Sequence, residues 1–172
     1  MELHLESHRY VRCRPDWRAA VVAGLIAGAV YMVLELLTAR FLLYQGAWGT
    51  VKMVAAIILG REALSADAFN WTVVLSAGTV HFALSIILAA VLAMILSSFR
   101  FDSSLWLASV VGIVFGVVVY LVNFYLLGTY FNWFDEARGW ESLFAHALFG
   151  LVAADVYCNL ERRRGETGQQ PA

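Results

Sequence analysis

The chain has 172 residues, of which 61% are hydrophobic and only 15% charged, with a formal net charge of −1 and a mean hydropathy of +0.71. That composition excludes an ordinary soluble globular domain and points to a lipid bilayer as the solvent. The near-zero charge also removes any general electrostatic attraction to nucleic acid.

Residues 1–18 carry Arg9, Arg12, Arg14 and Arg18 together with His4, His8 and Cys13. Two histidines at helical spacing on a terminal segment are too few to hold a metal. A first apolar span follows at about residues 19–44, with one carboxylate inside it, Glu35. It is longer than a signal-peptide core and no small-x-small cleavage pattern follows, so the N-terminus is expected to be retained. The next segment, "WGTVKMVAAIILGREAL" from Trp48 to Leu64, has helical periodicity but is too short and too charged to cross. Trp48, Val51, Val54, Ala55 and Ile58 fall on one stripe, and Lys52, Arg61 and Glu62 can reach headgroups or water, the pattern of an interfacial amphipathic helix.

No Asp, Glu, Lys or Arg occurs between Ala68 and Phe99 or between Ser103 and Phe134. Each interval exceeds the roughly 20 residues that a spanning helix needs, which places spans at about 71–98 and 105–130. The segment "FDEARGWE", from Phe134 to Glu141, then leads into a fourth span at about 139–160 with Asp155 near its end. Asp155 lies half a helical rotation from His146, and Arg162 is seven residues further along its face, the spacing of a snorkelling ion pair. The polar remainder, about 164–172, has the composition of a disordered tail. Long unbroken apolar runs without dyad alternation exclude a barrel and give an all-α, single-domain, integral membrane four-helix bundle.

The basic residues divide unequally. Arg9, Arg12, Arg14, Arg18, Arg100, Arg162, Arg163 and Arg164 flank one side of the spans, and Arg40, Lys52, Arg61 and Arg138 the other. The excess of positive charge belongs inside, so both termini are expected in the cytoplasm. Trp48, Trp71, Trp133 and Trp140 then mark the outer interface, and Trp17 and Trp106 the inner one. Cys13 and Cys158 fall on the cytoplasmic side, where thiols stay reduced.

Laying the first span on the third discloses an internal repeat. Gly24, Gly28, Tyr31 and Glu35 match Gly112, Gly116, Val119 and Asn123 at identical spacings, and "HFALS" from His81 parallels "HALFG" from His146. The repeat unit is a helical hairpin, and two copies in parallel make the bundle, with the interfacial helix inserted in the first. The glycines Gly24, Gly28, Gly112, Gly116 and Gly150 are candidate helix-packing positions. Glu35, His81, Asn123 and His146, one per helix, fall at similar depth in the outer half of the bilayer and should face the interior, because polar groups facing lipid are costly.

Three readings of that layer stand side by side. It is a hydrogen-bonded latch in which Glu35 and Asn123 bond the two histidines; or a proton relay or pH sensor, since a buried carboxylate needs a compensating proton on His81, His146 or Arg40; or a metal or haem b site on His81 and His146 with Glu35, around which Gly78 and Ser85 join the glycines in leaving room. The signatures of nucleophilic hydrolases, phosphate loops, dinucleotide folds and zinc peptidases are absent, which argues against an enzyme unless the chain is a redox subunit.

The stretches "AGLIAGAVYMVLELL" from Ala23, "WGTVKMVAAIILGREAL" from Trp48, "VHFALSIIL" from Val80, "YLVNFYLL" from Tyr120 and "FAHALFGLVAA" from Phe144 resemble a family of small bacterial inner-membrane proteins. At greater distance they are similar to the YagU type of acid-resistance membrane protein. The resemblance spans about residues 18–160 and implies a bacterial plasma-membrane location, with His81 and His146 in the second and fourth helices. Some relatives carry a sodium:solute symporter label, which four spans are too few to support without oligomerisation. The sequence thus describes a non-enzymatic, multi-pass protein, working as a homo-oligomer or as an accessory subunit of a larger membrane complex.

Overall fold

The computed structural model describes residues 15–41, 46–99 and 104–168, with side chains as far as Arg164. His4, His8, Cys13, Arg9, Arg12, Arg14 and Arg100 lie outside the described residues. Among the described residues five α-helices succeed one another: α1 (Trp17–Phe41), α2 (Ala47–Leu59), α3 (Trp71–Phe99), α4 (Leu105–Leu121) and α5 (Trp140–Gly168). No strand occurs among the described residues. Among the described residues four segments, Trp17–Phe41, Trp71–Phe99, Leu105–Thr129 and Trp140–Arg164, are long and apolar enough to cross a membrane, which fits a multi-pass membrane protein.

The arrangement of side chains is the reverse of a soluble bundle. On α1 the buried positions are Ala19, Ala20, Ala23, Gly24, Ala27, Gly28 and Ala39, while Val21, Val22, Leu25 and Ile26 point outward. Between helices in lipid the hydrophobic effect gives no net drive, so close backbone approach of small residues supplies the contact, and large aliphatics meet the acyl chains. Larger groups fill the remaining interior, chiefly Leu92, Leu96, Phe149 and Tyr157. An exposed tryptophan stands at the first or second residue of every spanning helix: Trp17, Trp71, Trp106 and Trp140.

Two antiparallel hairpins, α1 with α3 and α4 with α5, join mainly through α1 and α5. In each, glycines set the separation. A Cβ on Gly24 would come within 2.8 Å of the Ser85 carbonyl oxygen and of Ile86 Cα, and one on Gly28 within 2.6 Å of Ser85 Oγ. In the second hairpin, Gly112 and Gly150 face each other's carbonyl groups and Gly116 faces the carbonyl of His146.

Helix α2 lies against α3 through Ala55 and Ala56, which form a second core with Ala63, Val73 and Ala77. Of the expected stripe, Trp48, Val51, Val54 and Ala55 meet this core, while Ile58 is exposed and Ala56 takes its place in the contact. Trp48 and Trp133 also turn inward, their indole N–H groups donating to the carbonyls of Ala66 (3.0 Å) and Met53 (3.2 Å).

The third span, Leu105–Thr129, is helical throughout but not uniformly α: α4 gives way to a π turn at Val122–Leu126 and a 3-10 turn at Leu127–Thr129. One further expectation is corrected. The C-terminal segment is not an unstructured tail from residue 164, since α5 runs to Gly168. Its anchor is Arg164, whose Nη1 donates to both carboxylate oxygens of Asp16 at 2.9 and 2.8 Å. Asp16 also caps α1, accepting the backbone N–H of Arg18 (2.9 Å) and Ala19 (3.1 Å), and its own N–H donates to the Tyr157 hydroxyl at 3.2 Å. The start of α1 and the end of α5 are thereby clasped at one end of the bundle.

Candidate functional site

At the opposite end, the polar residues gather around Tyr31, which the repeat aligns with Val119. Its ring stacks on His81 (centroids 5.8 Å apart) and meets His146 edge-on at 4.9 Å. Its hydroxyl lies 3.3 Å from His146 Nδ1. The small faces of α1, α3 and α5 bring these three rings together, since glycine or alanine sits one turn away on each helix, at Gly28, Ala77 and Gly150.

The protonation of His146 follows from its partners. Nδ1 lies 2.7 Å from the Ser142 carbonyl oxygen, which can only accept, so Nδ1 carries the hydrogen. Nε2 then accepts from Asn123 Nδ2 at 3.1 Å. The ring is a neutral, oriented imidazole with both nitrogens engaged, and Asn123 reaches it from the π turn, where the helix is widened by one residue. We expect nitrogen-15 spectra of the native protein to show His146 protonated at Nδ1 alone. Asn123→Leu should shift the Nε2 resonance and cost about 1 kcal/mol by stranding a buried acceptor; a proton on Nε2 in the native protein would refute the assignment.

Glu35 is held by α5. Ser142 Oγ donates to Glu35 Oε1 at 3.1 Å, and the Tyr31 hydroxyl is beside the same carboxylate. Ser142 therefore does two things, steering His146 through its carbonyl and Glu35 through its hydroxyl. His81 is separate: its Nε2 donates to the Gly28 carbonyl at 2.8 Å, so that in the neutral ring Nδ1 is the acceptor.

Of the four residues expected to form one layer, the structure joins Asn123 and His146 directly. It reaches Glu35 through Ser142 and His81 only through the ring of Tyr31. The expected latch, with Glu35 bonded to a histidine, is corrected in that respect. A metal or haem does not fit either. No group of three or more His, Cys, Asp and Glu that could hold a metal ion occurs among the described residues. Both nitrogens of His146 are engaged, and Tyr31 occupies the space between the histidines that a porphyrin would need. Asp155 stands apart and faces α4, where Ser109 Oγ donates to it at 2.6 Å. In the 132–137 turn, Asp135 pairs with Arg138 at 3.7 Å.

Beside this cluster is a cavity of about 700 Å³ between α1, α2 and α3, closed at one end by Phe124 and the 132–137 turn. Tyr31, Glu35, His81 and Ser142 supply its polar edge, and no lysine or arginine lines it among the described residues. Tyr31, Ser142 and the cavity all escaped the sequence. A tyrosine within an apolar helix reads as core and a serine in a first helical turn reads as a cap, while a gap between three helices has no linear signature. No protein-family model, curated protein or solved structure matches the chain, so its chemistry has to be read from this cluster and this cavity.

Proposed function

We propose that the chain is a small, non-enzymatic multi-pass protein of a bacterial plasma membrane, with both termini cytoplasmic, in which Glu35 exchanges a proton in the course of transport or sensing. One observation carries this reading. Glu35 borders a large apolar cavity, its hydrogen-bond partners are the neutral hydroxyls of Ser142 and Tyr31, and among the described residues no lysine or arginine lines the space. A carboxylate in so poor a solvent requires a countercharge, and the one available at every moment is a proton. From Glu35 the contacts continue through Ser142 and His146 to Asn123 in the π turn, so a change of charge at the cavity bears on the weakest-wound part of α4. The alike glycine contacts of the two hairpins support their reading as copies of one unit. The resemblance to acid-resistance membrane proteins agrees with a protonatable site, and a homo-oligomer or a larger complex is the natural setting for four spans.

The test is proton movement into proteoliposomes carrying an internal pH dye under an imposed potassium diffusion potential. Native protein should admit protons faster than empty vesicles, and Glu35→Gln should fall to the empty-vesicle rate. Equal rates for native and Glu35→Gln would overturn the assignment.

A further inference from the structure

The cavity supports a more specific assignment, which rests on Glu35 as its exchangeable charge. Its volume, about 700 Å³, falls within the roughly 300–1,000 Å³ typical of sites for drug-sized molecules. Its walls are apolar, and Tyr31, Phe82, Phe124 and Phe134 contribute π faces that attract cations. Met32 and Met53 add flexible, polarizable surface that adapts to more than one shape. The mouth includes Leu75 and Thr79, both exposed on α3, so entry is open from the side that would meet lipid.

Charge decides the class of ligand. Around Glu35, α1 contributes Tyr31, α5 contributes Ser142 and the nearby carboxylate of Glu141, and α3 contributes His81 with Nδ1 as an acceptor. The lining residues of α2 and of the 132–137 turn carry no charge. The nearest lysine, Lys52, turns away and donates to the Leu64 carbonyl at 2.8 Å. Among the described lining residues no lysine or arginine offsets the carboxylate of Glu35 or the nearby Glu141, so an anionic ligand would be repelled. A neutral one would leave the carboxylate without a countercharge.

We propose that this cavity binds a lipophilic organic monocation, an ammonium or phosphonium bearing aromatic or branched bulk, with Glu35 as its countercharge. Cation and proton alternate on the one carboxylate: binding of the cation releases the proton, and rebinding of the proton expels the cation. Protonated amines gain a further bond by donating to His81 Nδ1.

The experiment is equilibrium dialysis of the full chain in detergent micelles with tetraphenylphosphonium, and with tetraphenylsilane as an uncharged analogue of the same shape. Saturable binding of the phosphonium is expected, at least about tenfold tighter than that of the silane. Glu35→Gln should weaken it at least about tenfold, whereas Glu35→Asp, which keeps the charge and controls for folding, should stay within a few-fold of native. Phe82→Ala should weaken it without removing the preference for the charged probe. No saturable binding, or binding of both probes alike that survives Glu35→Gln, would overturn the proposal, the second outcome marking a site for neutral amphiphiles. Proton entry into proteoliposomes distinguishes the two readings: protons moving through Glu35 without phosphonium binding would defeat the ligand assignment alone. Phosphonium binding without Glu35-dependent proton entry would defeat the exchange reading and leave a cation site.

Discussion

Gly116→Ala is expected to be among the most damaging single-methyl additions in this protein. The new Cβ would meet the carbonyl of His146, and in Gly150→Ala it would meet the carbonyl of Gly112. Backbone atoms cannot rotate aside, so α4 and α5 must separate along a shared face. Overpacking costs about 1–3 kcal/mol in soluble cores, and two backbones in direct apposition place these variants at the upper end. Gly28→Ala should be milder, because its nearest neighbours are side-chain atoms, Oγ and Cβ of Ser85, and not backbone. Gly78→Ala is the control: nothing lies within 4 Å of its Cβ, and alanine favours the helix by roughly 1 kcal/mol. Unfolding by SDS in mixed micelles should rank Gly116→Ala and Gly150→Ala lowest, Gly28→Ala between, and Gly78→Ala at or above native. A Gly116→Ala protein as stable as Gly78→Ala would contradict the close approach.

The second large effect belongs to Tyr31. Its ring touches His81, His146 and Phe149, and removing it in Tyr31→Ala should cost about 3 kcal/mol, the lower end for loss of a large aromatic side chain from a core, since Tyr31 is only half-buried. Tyr31→Phe keeps the ring and gives up the hydroxyl, which lies 3.3 Å from His146 Nδ1 and beside the Glu35 carboxylate; loss of these polar contacts should cost about 1 kcal/mol. The same unfolding measurement should therefore separate the two variants clearly. A phenylalanine variant as unstable as the alanine one would transfer the role of hub from the ring to the hydroxyl.

The course of the chain was largely legible because the bilayer imposes one demand at a time. Uncharged intervals of sufficient length define spans, and small residues recurring at helical spacing on α1 and α4 define the faces that meet. Asn123 and His146 were legible as partners for the same reason, since a polar side chain in hydrocarbon has to find another. What escaped depends on side chains acting in ways their types do not advertise. Tyr31 matches a valine in the second hairpin, and nothing in that pairing marks it as the hub. Ser142 acts through its carbonyl as much as its hydroxyl. The widening of α4 at Val122 follows a run of residues no different in composition from those before it. Residues 164–168 look like tail by composition, yet arginine is a good helix former and Arg164 has a carboxylate to reach.

The clasp between Asp16 and Arg164 has a consequence for connectivity. With the first and last spanning helices tied at one end, a short linker from residue 164 to residue 15 would close the polypeptide into a ring without moving a helix. The ring could then be reopened between the two hairpins, giving a circular permutant whose new first helix is α4. The order in which the hairpins are synthesised would be exchanged while every contact described above is kept.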